Sequence, residues 1–79
     1  MVLSQYAKVV IAERGIQVPW IEMAIAQPDT ADQDPTDASL KRIWKRVDEA
    51  EGRVLRVVYR PLDTDILVVT AFFDRGARL

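Results

Sequence analysis

Three runs in the second half of the chain, LKRIWKRV (40–47), RVLRVVYR (53–60) and ILVVTAFF (66–73), are dense in β-branched and aromatic residues and stand close together. The connections between them, DEAEG and PLDTD, consist largely of turn-forming and polar residues. Strand-forming runs joined this briefly leave no room for a crossover helix, so the spacing predicts three antiparallel strands near 40–47, 53–60 and 66–73, linked as a meander. The residues before them must then supply whatever covers that sheet.

SQYAKVVIAERGI predicts a helix near 5–14 with both ends marked. Ser4 is placed to cap the N-terminus, and Gly15 stands where a left-handed residue ends a helix, so that Ile16 can pack back on Ile11. VPWIEMAIAQPD predicts a second helix near 19–27, with Pro19 at its first position and Pro28 as its stop. Met1–Leu3 could add a short edge strand. PDTADQDPTDAS, residues 28–39, has no apolar side chain larger than alanine and predicts a loop. Its Asp32–Asp34 spacing lacks the glycine and terminal glutamate of a calcium loop. This order gives an α+β fold class and a single domain over residues 1–79: two N-terminal helices packed on one face of a three- to four-stranded antiparallel meander.

The 79 residues include no cysteine and no histidine. That excludes disulfides, thiol catalysis and thiolate metal sites, and it removes the commonest metal ligand and general base. Neither a metal nor another cofactor is therefore expected. No apolar run approaches the roughly 20 residues of a spanning helix, and the first residues do not read as a signal peptide, so the expectation is a cytoplasmic protein with no membrane partner.

Charge is unevenly distributed. Residues 1–40 carry two basic side chains against six acidic ones, and residues 41–79 carry nine against six. Strand period two sorts RVLRVVYRP into one face with Arg53, Leu55, Val57 and Tyr59 and another with Val54, Arg56, Val58 and Arg60. The first is the core candidate; the second is half cationic. The last strand is apolar on both faces, as Ile66, Val68, Thr70, Phe72 and as Leu67, Val69, Ala71, Phe73. Two helices can cover only one of them, so the other calls for the sheet's own curvature, a second chain or a ligand. Guanidinium forks match phosphate, and Arg56 and Arg60, with Arg42, Arg46 or Lys45 alongside, would suit an RNA backbone, with Trp44 and Tyr59 as stacking candidates. The bland reading is that arginine stems merely cover apolar surface.

AERGI (12–16), WIEMAIAQPD (20–29), GRVLRVVY (52–59) and VVTAFFDR (68–75), in this order and spacing, resemble the small bacterial proteins grouped as domain of unknown function 4258. Through that family the chain resembles RelE-like and BrnT-like ribonuclease toxins, in which basic and tyrosine side chains on the sheet hold and cleave RNA until an antitoxin-type partner covers them. The resemblance implies Arg56, Tyr59 and Tyr6 as catalytic candidates and Arg60, Arg46, Lys45 and Arg14 as phosphate-binding ones. Relatives commonly carry a His-Ala pair where this chain has Tyr6 and Ala7. Tyrosine, with an ordinary pKa of about 10, is a poor base at neutral pH. Two readings follow: a metal-independent RNA-binding or RNA-cleaving domain in which Arg56 and Arg60 share a phosphate, and a non-catalytic interaction domain that forms a homo-oligomer or binds a protein partner through its sheet.

Overall fold

The computed structural model describes residues 1–79. It is an α+β fold, in the order β1 (Val2–Leu3), α1 (Gln5–Glu13), α2 (Val18–Ala26), β2 (Thr30–Gln33), β3 (Lys41–Val47), β4 (Arg53–Pro61) and β5 (Ile66–Phe73), with a single 3-10 turn, Asp48–Ala50, between β3 and β4. The helix ends follow the sequence signals. Ser4 Oγ accepts the Ala7 N–H at 3.0 Å. At the other end Gly15 takes a φ of 66°. Ile16 N–H then donates to Ile11 O at 2.9 Å and Gly15 N–H to Ala12 O at 3.4 Å, the paired bonds of a Schellman ending. α2 has no side-chain cap on Gln17, and Pro19 in its first turn starts it instead.

The sheet has five strands in the order β1-β5-β4-β3-β2. Two features depart from the expected meander. β1 pairs parallel with β5, Val2 against Leu67 and Leu3 against Val68, so the sheet is mixed. And residues 28–39 are not all loop: β2 runs antiparallel to β3, with Thr30 opposite Trp44 and Gln33 opposite Lys41. All four β2 residues are exposed, so an edge strand held by backbone bonds leaves no apolar alternation to read. Asp29 helps to set it, its N–H donating to Trp44 O and its carboxylate accepting from Arg46 N–H. Only Asp34–Ser39 turns, with the Asp34 and Asp37 carboxylates accepting from Thr36 and Ser39.

β5 breaks strict alternation. Val58 faces Thr70 while Tyr59 faces Val68, which leaves Val69 as a bulge. Val68 and Ala71 are consequently both buried against the helices, although a regular strand would send them to opposite faces. The bulged carbonyl is met by the Ser4 hydroxyl at 3.1 Å. Ser4 thus ties the start of α1 to the outer side of β5.

The core lies between that face and the helices. Ala7, Val10 and Ile11 of α1 and Ile21 and Ala24 of α2 pack with Ile43, Leu55, Val57, Val68 and Ala71. The second face carries Arg42, Trp44 and Arg46 of β3, Val54, Arg56, Val58 and Arg60 of β4, and Phe72 of β5. It is closed in part by its own chain. Val58 is only 7% exposed, the Arg42 and Arg56 guanidiniums lie 5.3 and 5.4 Å from the Trp44 ring, and Gly76–Leu79 turn back to line a cleft with Thr30, Asp32 and Trp44. No helix is long and apolar enough to cross a membrane.

Candidate anion-binding site

Arg56 is wedged between aromatics, its guanidinium 5.4 Å from the Trp44 ring and 5.2 Å from that of Phe72. Its Nη1 stands 3.8 Å from Asp74 Oδ2, and its buried Nε has no acceptor. Asp74 also accepts the Trp44 indole N–H at 3.0 Å and the Gly76 N–H at 3.0 Å. The indole hydrogen bond, with the Arg56 charge behind it, holds the Asp74 carboxyl below the usual carboxylate range. Arg42 is more completely neutralised by a two-pronged pair with Asp32, whose carboxyl is lowered by that hydrogen bond.

Arg60 shares the face of Arg56, but four residues of strand separate their Cα atoms by about 13 Å. Arg56 leans toward Asp74, whose N–H is bonded to Val54 O at the opposite end of β4, so the two arginines do not form one phosphate cradle. Tyr59 points the other way and packs half-buried against the core. Tyr6 is 59% exposed on α1, in the helical layer. The sheet therefore separates both tyrosines from Arg56. Lys45 likewise belongs to the helix side: it pairs across the strand with Leu55, lies beside Trp20 and Met23, and its Nζ is 3.7 Å from Asp29.

Arg14 and Arg46 do come together, with two arginines that sequence reasoning passed over. Arg14, Arg46, Arg53 and Arg75 line one cleft of about 630 Å³ at the end of the sheet, beside Gly52, Phe72 and Phe73. Neutral partners hold two of them. Arg14 Nη1 donates to Ala71 O at 2.8 Å. Arg53 Nε donates to Ala50 O at 3.0 Å, and its guanidinium lies 3.9 Å from the Phe73 ring centroid. None of the four forms an ion pair. The one carboxylate in the lining, Asp74, is already engaged by Trp44, Arg56 and Gly76. Arg53 and Arg75 lie just past the last β4–β5 pair, Leu55 with Phe73: Asp74 N–H still bonds Val54 O, and the chain then turns at Arg75.

No cluster of three or more metal-ligating side chains is present. What the cleft offers is fixed cationic hydrogen-bond donors next to an aromatic wall. No curated protein and no solved structure matches the chain. A family profile does match residues 3–73, nearly its whole length, and the chain belongs to the family described as domain of unknown function (DUF4258).

Proposed function

We propose that the domain binds single-stranded RNA by its phosphates, with the arginine cleft as the principal contact. The supporting observation is the cleft itself: four arginines without carboxylate partners converge in a chain whose net charge is −1. Arginines that make no ion pair keep their forks for a ligand, and a polyanion supplies the phosphates that match them, although Arg46 also borders Asp29, Asp48 and Glu49 on its other side. The reading keeps the RNA-holding half of the RelE-like resemblance and leaves out the cleaving half. Acid–base work on a 2′-hydroxyl needs a proton acceptor within hydrogen-bond reach, and neither Tyr6 nor Tyr59 is among the residues that line the cleft.

Fluorescence anisotropy with a labelled single-stranded RNA tests this. Binding is expected at about 50 mM salt and should weaken steeply toward about 200 mM, as counterion release requires. Arg46→Ala and Arg75→Ala should each weaken it and flatten the plot of log K against log salt by about 0.7, the contribution of one single-strand phosphate contact. The RNA should remain intact on a denaturing gel. No binding at low salt would overturn the proposal, and protein-dependent cleavage would restore the nuclease reading.

A further inference from the structure

We infer that the cleft takes a phosphate monoester at the end of an RNA chain; this rests on the RNA-binding reading above and names its ligand. The first argument is preorganisation. Arg14 and Arg53 are held by the carbonyls of Ala71 and Ala50, and Arg53 is further pinned on the Phe73 ring. Because the holding groups are neutral, each guanidinium keeps its full charge and the rest of its fork is free for a ligand.

The second argument is charge and valence. An internal phosphodiester carries one negative charge, whereas a monoester carries about −1.5 to −2 at pH 7 and presents three acceptor oxygens. Arg14 and Arg53 border the cleft from the helix side, Arg46 from the second face and Arg75 from the turn after Asp74, so a group bound there meets more fork donors than the single charge of a phosphodiester uses. The third is shape. The cleft is bounded by the turn at Gly52 and by the turn in which Gly76 bonds Asp74. A group at the end of a chain fits between these turns, whereas a continuing backbone has to turn away from them.

The test compares one single-stranded RNA bearing a 5′-phosphate, a 3′-phosphate or neither. At pH 7.5 at least one phosphorylated form should bind about tenfold more tightly than the unphosphorylated one, the gain of an added charge-assisted fork contact. That advantage should shrink below about pH 6, where the monoester takes up its second proton. It should also be lost in Arg75→Ala, which removes an exposed side chain, and in Arg53→Lys, which keeps the charge and loses the fork. Equal affinity for all three RNAs, with salt-dependent binding intact, would overturn the end-group inference and leave the RNA reading standing. If no RNA binds, the RNA reading fails, and the cleft is judged by titrating adenosine monophosphate against adenosine while following the Arg53 and Arg75 Nε–H resonances. Shifts with the monophosphate alone sustain the monoester site; their absence overturns it.

Discussion

Leu55→Ala should remove a large share of this domain's stability while leaving it folded enough to give a measurable unfolding curve. Leu55 is fully buried at the centre of β4, between its neighbours β3 and β5 and against the helices. Truncating such a side chain typically costs about 2–5 kcal/mol in lost transfer energy and residual cavity. A chain of this length has a total stability of roughly 5–10 kcal/mol, and with no cysteine it has no cross-link to fall back on. Urea unfolding followed by circular dichroism should show a large drop in midpoint with little change in slope. Tyr6→Ala, at an exposed position on α1, should shift the same curve by no more than about 0.5 kcal/mol. Comparable losses in the two variants would mean that the helices do not pack as described.

Asp74→Ala should destabilise by about 1–3 kcal/mol, because it strips the acceptor from the Trp44 indole and the countercharge from Arg56 while both stay in place. Asp74→Asn should cost less, since an amide oxygen can still accept from the indole. The pH dependence follows from the direction of the shift. Folding lowers the Asp74 pKa, so near and below the ordinary carboxylate value the unfolded chain binds protons more readily than the folded one. The stabilisation is complete above that range and is lost as the pH falls through the folded value. Asp32, Asp34, Asp37 and Asp65 are shifted the same way, by hydrogen bonds from Arg42, Thr36, Ser39 and the chain's N-terminal amine respectively. Urea midpoints measured from pH 7 down to about 3 should therefore fall steadily, and Asp74→Asn should fall less steeply than the unsubstituted protein. An identical acid limb in both would show that Asp74 contributes nothing to it.

The elements that could be read from the chain are those whose signals are local. Ser4, Gly15 and Ile16 mark the ends of α1 through their own backbone chemistry, and the runs around Ile43, Val57 and Val68 are strand-like whatever surrounds them. β2 was hidden because Thr30–Gln33 is an exposed edge strand, specified by its pairing with β3 and not by apolar residues. The bulge at Val69 was hidden for a related reason: parity along β5 depends on how Tyr59 and Val68 align, a fact about two strands together. The same limit shaped the site. Period two correctly put Arg56 and Tyr59 on opposite faces of β4, yet the family resemblance had grouped them. Arg46 and Arg53 flank one hairpin, but Arg14 and Arg75 are far from them in sequence, and only the packing of α1 and the end of β5 beside that hairpin brings them to one cleft.

The parallel pairing of β1 with β5 has a consequence for how the molecule is made. Ser4 and Val69, 65 residues apart in sequence, are joined by a hydrogen bond, and Val2 and Leu3 find their strand partner only in Leu67 and Val68. During synthesis residues 2–4 must therefore wait for residues 67–69. Until β5 has emerged, α1 lacks the strand it packs on, and β4 presents an unpaired apolar edge. Loops this long are costly to close, so folding should be slow for so small a domain and delayed until β5 is available. A nascent chain halted before residue 66 should be open to proteolysis throughout, with no resistant N-terminal fragment.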